Sequence, residues 1–312
     1  MTNNRESNFV SAVIYVYNKE HEIYEILNKI RSIFKNNFKK YEIICVNDAS
    51  TDNSTQQIEE FAKTMKEGSL TVINMSYYQG IERAMNAGID ASIGDYVYEF
   101  DDINYDYDEE IVLKVYNKCL SGFDIVSASY EKNRNKASTL FYRMFNKYSD
   151  LQYDIRTENF RIVSRRAVNR VQSINKNITY RKAVYANCGF KISNIIYNSR
   201  KTLNNTFNKT VHKTRKKLAI DSLLLFTDIM YRFSITMSII MVLITIFVGI
   251  YTVTVFISRN PVDGWTTTML FLSVGFLGTF IMMTSIIKYL EILLNITFKD
   301  NRYIIESIDK LN

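Results

Sequence analysis

Two adjacent carboxylates, Asp101 and Asp102, follow directly on the short apolar run 96–100 (YVYEF). An ionised group set beside a core loses hydration, so a pair placed there needs a partner. A magnesium or manganese ion, or the hydroxyls of a bound sugar, would supply one. An isolated Asp-Asp pair is by default a solvated acidic loop. The elements that place this one argue otherwise.

Residues 9–17 (FVSAVIYVY) form a β-rich apolar run that reads as a buried strand ending at Asn18. A helix follows, with Ile23, Ile26, Leu27, Ile30, Phe34 and Phe38 at three- and four-residue spacing. A second strand, 41–47, stops at the turn-rich NDASTDNS, and a helix is expected over 58–65. A third strand (70–75) is broken at Gln79 and Gly80, and IERAMNAGIDASI is helical. The strand bearing Asp101 comes fourth, followed by a helix over 109–120 and a strand over 123–130. Such alternation predicts an α/β fold with a parallel, doubly wound, Rossmann-like sheet. Ligands of such sheets sit beyond the carboxyl ends of the strands. Asn18, Asp48 and Asp101 all fall on that edge. There is no GxGxxG and no Walker loop, so carboxylates rather than glycines line the strand ends. That pattern fits a base, a ribose and a metal-held diphosphate.

Beyond Tyr130 the periodicity weakens and arginines accumulate. Most read as solvated surface charge; Arg161, set between apolar residues in NFRIVSRR, reads as an inward-pointing anion ligand. Residues 189–197 read as another strand. The chain carries a net charge of +7, and Arg200, Lys201, Lys209, Lys213, Arg215, Lys216 and Lys217 crowd just before a long apolar region. That placement favours a membrane surface, and no nucleic-acid-binding motif accompanies it. Residues 209–232 read as a basic amphipathic helix lying on the bilayer. Two charge-free stretches, 233–258 and 264–287, are each long enough to span a bilayer, which takes ~20 apolar residues. The link between them holds the only proline, Pro261, so the spans are expected to form a hairpin. The excess of Lys and Arg before the first span places the bulk of the protein and both termini in the cytoplasm. The polar first eight residues predict no secretory signal. Three scattered cysteines without a CxxC spacing and two histidines argue against a zinc site and fit reduced thiols.

Several segments resemble one family. VIYVYNKEHEI is similar to VIPVYNEEENI, with Tyr15 where proline is usual; EIICVNDASTDNS resembles EIIFVDDGSTDNT. YYQGIERAMNAGIDASIGDYV is similar to NFGKEAALNAGLEHARGDYV, NFRIVSRRAV to FRLLSRKAV, and KYLEILLNITFKDNRYIIESI to EYLGRIYEEVKNRPLYIIEE. In this order, and with a two-span hairpin, the set resembles the membrane-anchored polyprenyl-phosphate glycosyltransferases of the GT-A fold, the bactoprenol glucosyltransferases and dolichol-phosphate mannose synthases. One stretch departs: DDINYDYDEE stands where the family has DDDLQNPPEE, which puts Ile103 at the position of a metal-ligating aspartate. An aliphatic side chain cannot ligate a hard cation.

The resemblance implies a glycosyltransferase domain over 1–208, the juxtamembrane helix over 209–232, the spans, and a cytoplasmic tail over 288–312. It implies inverting transfer of a hexose from a nucleotide sugar, UDP-glucose or similar, to a polyprenyl phosphate such as undecaprenyl phosphate. Donor binding would fall to Tyr17, Asn18, Glu20, Asp48, Gly80, Asn86 and Asp101, with Asp48 on the nucleobase and Asp101 on the ribose or metal. Asp101 and Asp102 would carry catalysis, and Asp102 with Asp106 would hold Mg2+ or Mn2+. Arg134, Arg161 and Arg200 would orient the acceptor phosphate, since guanidinium forks suit phosphate oxygens. Relatives can also assemble through their membrane helices, which leaves a homo-oligomer open. The alternative is a degenerate homologue that binds nucleotide sugar or a partner without transfer, and Ile103 and Tyr105 favour it. A processive polymer synthase is disfavoured, because no QxxRW-type segment precedes the spans.

Overall fold

The computed structural model describes residues 5–103, 108–130, 136–174, 180–197, 209–257, 264–298 and 303–311. The chain divides into two compact units. One comprises Met1–Lys147, Leu151–Ala219 and Asp300–Asn312; the other comprises Tyr148–Asp150 and Ile220–Lys299.

The first unit runs β1 (Glu6–Val16), α1 (Ile23–Asn37), β2 (Phe38–Asn47), α2 (Ser54–Ala62), β3 (Ser69–Met75), α3 (Ile81–Ala91), β4 (Tyr96–Phe100), α4 (Glu109–Leu120) and β5 (Ile125–Tyr130). It continues through α5 (Lys136–Tyr148), β6 (Phe160–Ser164), α6 (Arg165–Ile174), α7 (Arg181–Ala186), β7 (Ile192–Tyr197) and the start of α8 (Lys209–Phe226). Helix α1 turns Ile23, Ile26, Leu27, Ile30, Ile33 and Phe34 inward, the stripe its spacing predicts. Strands β1 to β6 are largely buried and rich in Val, Ile, Tyr and Phe, as expected of strands covered on both faces, whereas β7 is half-buried along its length.

The sheet order is β7-β5-β6-β4-β1-β2-β3-β8, where β8 is Ile305–Lys310. Strand β1 pairs in parallel with β2 and β4, and β2 with β3. The expected mostly parallel sheet is found, as a mixed one. Strand β6 is antiparallel to both β4 and β5, and β8 is antiparallel to β3. Both were missed because each is five or six residues long and its pairing partner lies far away in sequence.

The second unit is built on α9 (Ile229–Ile257) and α10 (Trp265–Phe298), which pack on each other where Gly278 faces Met241. Phe247, Ile250, Leu277 and Phe280 remain 61–71% exposed. Among the described residues, no helix is long and apolar enough to cross a membrane. The two spans expected at 233–258 and 264–287 therefore rest on the sequence, and their proline link lies outside the described residues. The amphipathic reading of α8 is also modified. Lys213, Arg215, Lys216 and Lys217 precede Leu218, Leu223, Leu224, Leu225 and Phe226, so charge and apolar surface separate along the helix rather than around it.

Candidate active site

The parallel register sets Val16 beside Asn47 and Ile14 beside Phe100, so β1, β2 and β4 end on one edge. Asn18, Asp48 and Asp101 follow those ends. Asn18 takes a left-handed backbone (φ 52°), which Asn tolerates better than most residues. Its N–H donates to Ser50 Oγ at 3.0 Å and its Oδ1 accepts from Thr51 N–H at 2.8 Å. Glu20 repeats the pattern: its N–H donates to Asp52 Oδ2 and its Oε2 accepts from Asn53 N–H, each at 3.0 Å. Asn18 and Glu20 thus stitch the β1–α1 loop to the β2–α2 loop.

Asp48 has no exposed surface. Its Oδ1 accepts from Gln79 N–H at 2.7 Å, and its Oδ2 accepts from Gly80 N–H and the Tyr15 hydroxyl, both at 2.9 Å. Burial raises the carboxyl above its ordinary pKa, and those three donors oppose the rise only in part. Desolvation also pushes the Tyr15 phenol well up, which keeps its proton on the oxygen that donates to Asp48. Asp48 therefore fixes the 79–80 turn from beneath, where the resemblance placed it on the nucleobase. Gly80 (φ 89°) heads α3, and Asn86 lies buried on that helix. Near Asp48 the half-buried Tyr17 and Tyr78 rings lie 4.5 Å apart.

At the end of β4 lies a buried charge cluster. Register places Glu99 opposite Arg161. Arg161, 2% exposed, donates Nη1 to Glu99 at 3.0 Å, Nη2 to Asp101 Oδ2 at 2.7 Å and Nε to Glu158 at 3.0 Å. Arg181, from α7, is wholly buried; it donates Nη2 to Asp101 Oδ1 at 2.7 Å, Nε to Glu82 at 2.9 Å, and Nη1 to Glu99. The Tyr185 hydroxyl also donates to Glu99. Burial works to raise the Asp101 carboxyl, but the guanidiniums of Arg181 and then Arg161 overcome it and hold the group well below the usual carboxylate range. For Glu99, desolvation prevails and the pKa is raised. Glu82, Glu99, Asp101 and Glu158 outnumber two guanidiniums, so the deepest acid is the one driven towards its neutral form. The expectation that Arg161 meets an acceptor phosphate is corrected: its donors are committed to three carboxylates.

Asp102, next along, is 18% exposed at its side chain and lies 3.3 Å from Arg215 Nη2 of α8. Ile103 turns inward and is 1% exposed within the hydrophobic core. The family's metal position is thus filled by a core side chain. Among the described residues, no group of three His, Cys, Asp or Glu side chains could hold a metal ion. The described residues therefore do not by themselves make a metal site. Asp106, Arg134 and Arg200 lie outside the described residues. Sequence reading missed Glu82, Glu99, Glu158, Arg181 and Tyr185. The one available signal was Glu99, an acid inside an apolar strand.

The mixed sheet with carboxylates at its strand ends defines a GT-A-like domain. It is similar to the mannosyltransferase PcManGT from Pyrobaculum calidifontis, solved with GDP-Man and Mn2+. The two share 15% identity at a TM-score of 0.50, over 70% of this chain and 63% of that one. The chain belongs to glycosyl transferase family 2, whose pattern residues 11–178 match. It is 25% identical over 194 residues to an uncharacterized glycosyltransferase of Synechocystis sp., a match covering 60% of each chain. It is 23% identical over 194 residues to a prophage bactoprenol glucosyl transferase homolog of Escherichia coli, covering 60% of this chain and 62% of that one. The chain thus matches less than two thirds of either relative's length.

Proposed function

We propose that this protein transfers a hexosyl group from a nucleoside diphosphate sugar, UDP-glucose or a close analogue, to a polyprenyl phosphate at the cytoplasmic face of a membrane. The observation that carries the reading is the convergence of Asn18, Asp48, Gly80, Asp101 and Asp102 on one sheet edge in a family 2 chain. The nucleobase would lie against Tyr17 and Tyr78 over the turn that Asp48 holds, and Asp101 would take the ribose hydroxyls. An oxygen of the acceptor phosphate attacks the anomeric carbon from the face opposite the diphosphate. The bond to the donor's phosphate oxygen breaks with inversion, and its electron pair leaves with the diphosphate. The acceptor oxygen is anionic at neutral pH, so no strong general base is required.

A lipid acceptor stays in the bilayer, which is the chemical reason for the apolar stretches 233–258 and 264–287. Support for a membrane hairpin is their freedom from charge and the exposed Phe247, Ile250, Leu277 and Phe280 of α9 and α10. Among the bacterial relatives is one named for bactoprenol, which supports the lipid acceptor.

A second reading has an observation of its own. Ile103 in the core, and an Asp101 already held by two arginines, suit a homologue that binds nucleotide sugar without transfer. Membranes carrying the protein, supplied with radiolabelled UDP-glucose and undecaprenyl phosphate, separate the two. Label in the organic phase is expected. Tight UDP binding with no labelled lipid from any UDP-hexose would overturn the transferase in favour of the binding protein.

A further inference from the structure

Strand β4 ends in an acid that faces a cation where the family's pattern would have it face a metal. Three observations meet there. Ile103 is committed to the core, so the chain lacks the family's second metal-ligating carboxylate at that position. Asp102, 18% exposed at its side chain, carries the Arg215 guanidinium at 3.3 Å. One residue earlier on α8, Thr214 packs against the turn that heads α3: a Cβ added to Gly80 would sit 3.4 Å from Thr214 Cγ2. The basic half of α8 therefore touches both the Gly80 turn and Asp102, the two points between which the donor's diphosphate would lie. Arg215 is half exposed, and Lys213, Lys216 and Lys217 stand exposed around it.

We infer that Arg215 takes the place of the divalent cation, with its guanidinium on the leaving diphosphate and Asp102 orienting it. This rests on the donor reading above. When the bond from the anomeric carbon to the phosphate oxygen breaks, the electron pair stays on that oxygen and the diphosphate gains negative charge. A preorganised cation aimed at that charge lowers the barrier whether it is a metal or a guanidinium. A guanidinium also presents a planar fork of donors that matches two phosphate oxygens. Asp102 then holds the fork in place before the donor arrives and yields it to the stronger anion afterwards. Nucleotide affinity, and the retention of the leaving group, should be largely independent of manganese.

The test is calorimetric UDP binding to the purified full chain in detergent, in excess EDTA and in excess manganese, for the wild type, Arg215→Gln, Arg215→Lys and Asp102→Asn. The wild type is expected to bind UDP in EDTA within about threefold of its affinity in manganese. Arg215→Gln should lose about ten- to a hundred-fold in EDTA, the range of a hydrogen bond to a charged group, and manganese should not restore it. Arg215→Lys should retain part of the affinity, which a merely structural arginine would not require. Asp102→Asn should weaken EDTA binding less than Arg215→Gln does. Wild-type binding that appears only with manganese, or an Arg215→Gln affinity equal to wild type, overturns the inference and leaves the donor reading standing. No UDP binding under either condition overturns both.

Discussion

Replacing Arg181 with methionine removes one of the two guanidiniums that hold Asp101, from a site that already has more carboxylates than guanidiniums. In the wild type the Arg181 guanidinium meets Glu82 at 2.9 Å, Asp101 at 2.7 Å, and Glu99. Methionine fills much of the volume and donates nothing. Asp101 and Glu99 are left sharing Arg161, and among the described residues Glu82 keeps only the backbone N–H of residue 181, 2.9 Å away. Removing one partner from a buried ion pair costs about 3–5 kcal/mol. That is a large part of a domain's stability of roughly 5–15 kcal/mol. The sign with pH follows from Glu99. Its folded pKa is already raised by desolvation and rises further without Arg181. A carboxyl with a raised folded pKa favours the folded state most below its unfolded pKa of about 4.3 and loses that contribution as pH climbs through the folded value. The variant's deficit should therefore be greatest near neutral pH and shrink on acidification. The single tryptophan, Trp265, lies in α10, outside the unit that holds the sheet. The measurement is amide hydrogen exchange of β4 and β6 in the full chain. A loss under about 1 kcal/mol at neutral pH, or a deficit that grows as pH falls, would refute the charge accounting.

Three further substitutions probe the same edge. Ala49 sits at φ 56°, where a Cβ is unfavourable by roughly 1 kcal/mol, so Ala49→Gly should raise the denaturation midpoint of the first unit; a fall would show the strain is absent. A Cβ on Gly88 would lie 2.3 Å from Val13 Cγ1 and 2.6 Å from Val46 Cγ2. Gly88→Ala should then cost about 1–3 kcal/mol by overpacking, despite alanine's better helix propensity, and unchanged stability would sink that expectation. Ile103→Asp restores the acid of the family pattern, yet it places a carboxylate in the core. It should lower the thermal midpoint without adding manganese affinity, and tight manganese binding by a folded variant would contradict the inward placement of residue 103.

Strand ends were legible because the signal is local: apolar runs that stop at Asn18, Asp48 and Asp101 put those residues on one edge once the strands are parallel. Antiparallel β6 and β8 were not. Strand β6 lies between β4 and β5 by a return path, and β8 joins β3 from the far end of the chain, with Asn74 donating to Asp309 across 235 positions of sequence. Local periodicity carries no information about such partners. Arg161 shows the same limit at one residue. Apolar neighbours revealed that it points inward; its anions are Glu99, Asp101 and Glu158, set by strand register and a loop. Arg181 was invisible, since α7 is only six residues long and follows a segment of weak pattern. Ile103 has no ligating atom by its chemistry, and in the fold its side chain is part of the core.

Asp101, held on both oxygens by guanidiniums, still has capacity for a donor. An ionised carboxylate offers about four acceptor sites, two on each oxygen. Arg161 occupies one site on Oδ2 and Arg181 one on Oδ1. One site on each oxygen remains, and two neighbouring sites on a fixed carboxylate match the vicinal hydroxyls of a ribose. The arginines keep Asp101 ionised and rigid, so the group meets hydroxyl donors without first shedding a proton or choosing a rotamer. A metal at Asp101 would have to share each carboxylate oxygen with a guanidinium. The same two residues thus favour a sugar contact at Asp101. On the proposed function, charge neutralisation of the diphosphate would then fall to residues further along the edge, where Asp102 and Arg215 stand.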